Sequence, residues 1–135
     1  MSEALRLYPP APALGREVTE AFTLGGYRVA KGTDLLVSQW VMHRDPRYFS
    51  VPDRFLPERW ADDLAGKLPR FAYFPFGGGP RICIGNTFAI VEMTLILATI
   101  AQQYRLELRD DRPIVMETLP TLRPRGGLRM RCRRL

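Results

Sequence analysis

Residues 76 to 85 read Phe-Gly-Gly-Gly-Pro-Arg-Ile-Cys-Ile-Gly, and this stretch constrains the fold more than any other. It must deliver Cys83 from a glycine-rich turn to the start of the long apolar run that follows. Glycine adopts backbone conformations that a Cβ blocks, so the loop can wrap closely around the sulfur. A helix start offers unpaired N–H groups and the positive end of the macrodipole. A thiol held there ionises readily and makes a strong metal ligand. Arg81 adds a positive charge suited to an anionic group of a bound cofactor. Two other readings stand beside this one. A buried structural cysteine would be inert, and a phosphate-binding loop would need a Gly-Lys-Ser/Thr ending that Gly77–Gly79 does not lead into.

The elements around the loop follow from pattern. Ser2 to Tyr8 reads as the last turns of a helix stopped by Pro9-Pro10. Phe22–Leu24, Gly25-Gly26 and Tyr27–Val29 spell a tight hairpin. Lys31-Gly32-Thr33 turns the chain into an expected strand over Asp34–Trp40, and together these suggest one small antiparallel sheet. From His43 to Pro75 there is no sustained periodicity, with short turns expected at Asp45-Pro46 and near Pro57. A run of that length in a compact domain is functional or tied down by specific contacts. Asn86 to Gln103 is apolar on most sides, which predicts a deeply buried helix. Tyr104–Leu108 alternates as a strand does, a turn follows at Asp110–Pro113, and two further strand-like stretches come after it.

The 135 residues suffice for one domain, 46% hydrophobic, and the chain shows no linker or internal repeat. The net charge of +6 owes much to six arginines between Arg123 and Arg134. A nucleic-acid tail is one reading of such a cluster. The better one is a half-buried strand, because Leu128, Met130 and Cys132 alternate with Arg129, Arg131 and Arg133. Arginines on its solvent face also discourage edge-to-edge pairing. Unbroken apolar stretches are too short for a transmembrane helix, and Met-Ser-Glu-Ala-Leu-Arg lacks the features of a signal peptide. Cys83 and Cys132 form no CxxC pair, Cys132 has no motif around it, and His43 is the single histidine. These features argue against a disulfide framework, a structural zinc site and covalent c-type haem attachment. A cytoplasmic, reducing location is expected.

The cysteine loop resembles the haem-ligand signature of the cytochrome P-450 family, Phe-x-x-Gly-x-Arg-x-Cys-x-Gly, at every fixed position. The resemblance runs on through the chain. Glu3-Ala4-Leu5-Arg6 matches the family's Glu-x-x-Arg, two residues that share a helix face. Pro57-Glu58-Arg59-Trp60 resembles the family's Pro-Glu-Arg-Phe segment, with Trp in the last place. The resemblance implies that Glu3, Arg6 and Arg59 form one network pinning the irregular segment to a helix. It implies further that Cys83 is the axial ligand of haem b, within a pocket formed by Gly77, Gly79 and Gly85. Arg16 and Arg81 would then hold the propionates, and Phe76 would shield the sulfur. Guanidinium meets a carboxylate with paired, charge-assisted hydrogen bonds. His43, in His-Arg-Asp-Pro, resembles a structural stretch of the family rather than a ligand.

The fold so implied is mixed α and β. Residues 1–135 would be the C-terminal haem-binding portion of a longer P-450 domain, with small antiparallel sheets and a long buried helix. The activity implied is insertion of one oxygen atom of O2 into a small apolar organic substrate. The alternative is a truncated haem-binding product without turnover, because the resemblance places the acid–alcohol pair of oxygen activation in a preceding segment. A membrane anchor could also lie in such a segment. Pro10, Ala11, Pro12 and Leu14, and in the final turn Pro120 and Thr121, resemble substrate-facing stretches. Electrons would come from a ferredoxin, a flavodoxin or a reductase, and a basic surface near Cys83 would suit an acidic donor. No nucleic acid and no membrane segment of this chain enter that picture.

Overall fold

A computed structural model describes residues 1–109, 112–118 and 121–135. The expected turn at Asp110–Pro113 and the residue Pro120 fall wholly or partly outside these residues. Helix α1 (Ser2–Leu7) is followed by strand β1 (Leu14–Glu17), the hairpin β2 (Phe22–Leu24) and β3 (Tyr27–Val29), and strand β4 (Asp34–Val37). Next come the short helix α2 (Gln39–Met42), a 3-10 turn over Pro57–Trp60 and helix α3 (Leu64–Lys67). A second 3-10 turn at Gly79–Arg81 leads to the long helix α4 (Asn86–Ala101). Strands β5 (Tyr104–Leu108), β6 (Met116–Thr118), β7 (Leu122–Pro124) and β8 (Met130–Arg134) close the described order.

The hairpin forms where Gly25-Gly26 predicts it, because both glycines take positive φ (57° and 87°), as a two-residue hairpin turn requires. The single small sheet does not form. Instead β2 pairs only with β3, and β4 pairs antiparallel with β1, a strand not anticipated from the sequence. The strand expected over Asp34–Trp40 also stops early, at Val37. There the Ser38 side-chain oxygen accepts from the Val41 N–H at 3.2 Å and caps α2, which puts Trp40 in a helix.

The buried apolar residues are Leu5, Leu7, Val18, Phe49, Ala72 and Phe74, and with them are buried Glu3, Arg6, Gln39 and His43. Four of these ten buried residues are polar or charged, and most of the ten lie where α1 meets the irregular segment from His43 to Pro75. Six residues make too short a helix to stand on propensity alone, so α1 persists through those tertiary contacts.

Two burial expectations do not hold. Helix α4 starts where expected and ends two residues early, at Ala101, but it has no buried residue, and Phe88, Val91, Leu95, Ile96 and Leu97 are all more than half exposed. All-round apolarity calls for cover on every side, and among the described residues the element packed on α4 is β5. Strand β8 pairs with β5 in register, Leu106 opposite Cys132, yet both of its faces are exposed rather than one. Among the described residues this is a two-stranded ladder, and α4 packs on its β5 strand.

Candidate functional site

The site starts from the carboxylate of Glu3. Its Oε1 accepts from Arg6 Nη2 at 2.8 Å, from the Leu56 N–H at 2.9 Å and from Arg59 Nε at 3.0 Å. Its Oε2 accepts from Arg6 Nε at 2.8 Å and from Trp60 Nε1 at 2.9 Å. Burial by itself would raise the pKa of such a carboxyl. The hydrogen bonds from Arg6, Leu56, Trp60 and Arg59 together outweigh it and hold Glu3 down at about 2.

Arg6, fully buried, spends every N–H of its guanidinium. Beyond the two bonds to Glu3, Nη1 donates to the carbonyls of His43 (2.7 Å) and Pro52 (2.6 Å), and Nη2 donates to that of Arg54 (3.1 Å). Arg59 continues outward to the Ser50 carbonyl at 3.0 Å. Glu3, Arg6 and Arg59 are thus one connected network, and it grips the irregular segment by its backbone.

From there the bonds run to the cysteine loop. Tyr73 Oη donates to the Ser2 carbonyl at 3.0 Å, and the Phe74 N–H donates to His43 Nε2 at 2.9 Å. Gly77 N–H reaches back to the Phe74 carbonyl (2.9 Å), and Cys83 N–H to the Phe76 carbonyl (3.0 Å). Gly77 and Gly79 turn the loop with φ of 75° and 70°. A Cβ on Gly77 would also stand 3.3 Å from Leu14 Cδ1. Gly78 is held to glycine by space, since a Cβ there would overlap the Phe71 ring. Cys83 is a free, exposed thiol two residues ahead of Gly85, the N-cap of α4, and a Cβ on Gly85 would lie 3.9 Å from its Sγ.

A cleft of about 320 Å³ opens beside the loop, lined by Leu14, Arg16, Val37, Met42, Phe71, Phe74 and Gly78. Arg16 is its one charged lining residue, carried there by β1, with Nη1 donating to the Gly15 carbonyl at 2.7 Å. Phe71 has φ of 65°, an uncommon conformation for an aromatic residue, and stands edge-on to Phe74. Apolar walls, one guanidinium and an exposed thiol on the loop whose Gly78 lines the cleft make a donor set that fits a largely apolar cofactor with acidic groups and a soft metal.

The sequence model of the family described as Cytochrome P450 matches residues 1–130. The chain belongs to the cytochrome P450 family. Cyclooctatin synthase of Streptomyces melanosporofaciens is 50% identical over 105 residues, 78% of this chain and 23% of that protein. Cytochrome P450 4V2 of Homo sapiens is 39% identical over 135 residues, 99% of this chain and 26% of that protein. The solved structure of retinoic acid bound cyanobacterial CYP120A1 superposes with a TM-score of 0.92 at 34% identity, over 99% of this chain and 32% of that one. CYP102L1 gives a TM-score of 0.86 at 34% identity, over 99% and 30%. The chain therefore spans about a quarter of the curated relatives it matches, and its fold is part of the P450 fold, mixed helix and small antiparallel sheets. Haem is the cofactor that this family implies.

Against that family, the remaining site residues fall as follows. Phe76 is half-buried, and Arg81 is exposed on the second 3-10 turn. Pro10 and Thr121 come together, because the Leu122 N–H donates to the Pro10 carbonyl at 2.8 Å, whereas Pro12 accepts from Ser38 and Trp40. Of the substrate-facing candidates, Leu14 lines the cleft and Pro10, Ala11, Pro12 and Thr121 do not. Among the described residues no group of three or more His, Cys, Asp or Glu could hold a metal, and no helix is long and apolar enough to cross a membrane. Sequence reasoning missed Phe71, Met42 and Tyr73, which carry no motif. It named Trp60 only as a stand-in for Phe, although an indole N–H that is drawn towards a core usually finds a partner.

Proposed function

We propose that this chain forms the thiolate side of a haem b monooxygenase, with Cys83 as the axial iron ligand. The observation that carries the reading is the free, exposed Cys83 at the end of a loop tied, bond by bond, to the buried Glu3–Arg6–Arg59 network. When bound, haem supplies the activation of O2 for transfer of one oxygen atom to a small apolar organic substrate, favoured by thiolate ligation.

The residues of the chain do the rest. Cys83 presents its sulfur at the start of α4. Gly77, Gly79 and Gly85 keep Cβ atoms away from the ligand loop, and Phe76 limits the access of water to the sulfur. Arg16, at the mouth of an apolar cleft, pairs with one propionate, and Arg81 pairs with the other. Glu3, Arg6 and Arg59 fix the loop without touching the cofactor. Pro10, Ala11, Pro12, Leu14, Pro120 and Thr121 belong to the substrate side. Electrons come from an acidic donor such as a ferredoxin, a flavodoxin or a reductase, drawn to a basic surface, in a cytoplasmic setting where both cysteines stay reduced. Replacing Cys83 by Ser tests the ligand. The reduced carbon monoxide complex loses its thiolate-type spectrum if the reading holds, and retention of that spectrum defeats it.

The exposure of α4 favours a second reading for these 135 residues taken by themselves, haem binding without turnover. Turnover with a supplied reductant and O2 separates the two.

A further inference from the structure

His43 is the most deeply placed titratable group outside the Glu3 network, and no step above uses it. It caps the C-terminus of α2, its side chain is fully buried, and its ring lies 5.0 Å from that of Tyr73 and 5.3 Å from that of Phe74. Two bonds make it a junction. Its backbone carbonyl accepts from Arg6 Nη1, and its Nε2 accepts the Phe74 N–H. An imidazole that accepts at Nε2 carries its proton on Nδ1. From Phe74 the bonds continue through Gly77 and Phe76 to the Cys83 N–H.

We propose that His43 is the positioning residue of the cysteine loop: its neutral imidazole anchors Phe74 to the α1 network, and its protonation releases the Phe74–Cys83 segment. The consequence for haem rests on Cys83 being the ligand, but the loop itself can be read without haem.

The surroundings of the ring disfavour a second proton. From α1 come the Arg6 charge and the Leu5 and Arg6 carbonyls, and from the residue next in sequence the Arg44 charge. Nδ1 makes no hydrogen bond of good geometry. Glu3 is committed to Arg6 and Asp53 to Arg44, while Tyr73, held up at about 12 by burial, stays neutral. Burial, with the Arg6 and Arg44 charges, brings His43 down to about 4 against the opposing pull of those carbonyls. A protonated ring would also have no lone pair for the Phe74 N–H, leaving that donor stranded.

If opening of the loop returns His43 to its ordinary 6.5, the opening equilibrium rises about tenfold per pH unit as pH falls from 6.5 towards 4. The experiment is amide hydrogen exchange of residues 74–83 in the cofactor-free chain, corrected for intrinsic rates, from pH 7.5 to 4.5. Alongside it runs an NMR titration of the one histidine. The expected result is loss of protection at Phe74, Gly77 and Cys83 of about tenfold per pH unit below 6.5, with the Phe74 amide shift following the His43 titration. His43→Gln, which keeps an acceptor that does not titrate, retains protection and flattens its pH dependence, whereas His43→Leu loses protection at every pH. A His43 titration near 6.5, or a Phe74 amide indifferent to it, overturns the proposal using the unsubstituted chain alone. Loss of the thiolate spectrum through haem failure would leave these readouts unchanged, so the two readings fail separately.

Discussion

Glu3→Gln is the substitution that asks most of this fold. The carboxylate accepts five hydrogen bonds, three on one oxygen and two on the other. A glutamine amide turned either way points an NH2 at donors, so at best the Arg6 Nε and Trp60 Nε1 bonds are lost. Two buried donors left unmet cost about 1–3 kcal/mol each. Breaking one side of a buried ion pair costs about 3–5 kcal/mol, because Arg6 remains charged with no exposed surface. The two routes agree on about 3–5 kcal/mol. A domain of ordinary stability, about 5–15 kcal/mol, loses about a fifth of it at the least and nearly all of it at the most. Equilibrium urea unfolding followed by tryptophan fluorescence reads this directly, with the midpoint falling by about 2 M at an ordinary m-value for this size. Trp60→Phe removes only the indole donor and costs about 1 kcal/mol. It costs measurably less in the Glu3→Gln background, since the two share one oxygen. A Glu3→Gln midpoint shift below about 0.5 M would refute the reasoning.

Acid should unfold the chain in two stages. Burial keeps His43 at about 4 when folded against 6.5 unfolded, so its contribution is complete above 6.5 and is lost as pH falls to 4, about 2 kcal/mol of it by pH 5. Glu3, held at about 2 against 4.5, stabilises above 4.5 and gives that up as pH falls towards 2; urea midpoints at pH 7, 5 and 3 follow both stages, and a flat profile down to 4.5 contradicts the first. Gly77→Ala should cost about 1–2 kcal/mol in the same assay and more than Gly79→Ala, because both have positive φ but only Gly77 also faces Leu14 Cδ1. Arg16→Ala should weaken haem affinity by about tenfold with little change in the urea midpoint, since among the described residues its exposed side chain hydrogen-bonds its own neighbour's carbonyl.

Motifs with local causes were legible in the sequence. Gly25-Gly26 declares its hairpin because only positive φ serves there, and the apolar run declares α4 by length and composition. Glu3, Arg6 and Arg59 were legible as a trio through their resemblance to family motifs. What Arg6 grips was not legible, because the His43, Pro52 and Arg54 carbonyls carry no side-chain signal. Strand β1 escaped notice because Leu14–Glu17 is short and takes its register from β4, which lies twenty residues on in sequence. Ser38 ended the next strand through one hydroxyl. The burial of α4 and β8 was misread for a different reason. Apolarity reports what a surface needs and does not supply the element that covers it. The grip of His43 on Phe74 was not legible, because it spans 31 residues of irregular chain that no periodicity can fold in advance.

The most direct test of the account is haem titration of the chain and of its Cys83→Ser variant, recording the spectrum of the reduced carbon monoxide complex. A thiolate-type spectrum in the unsubstituted chain that is absent from the variant is the predicted result. The same spectrum in both would contradict the assignment of Cys83.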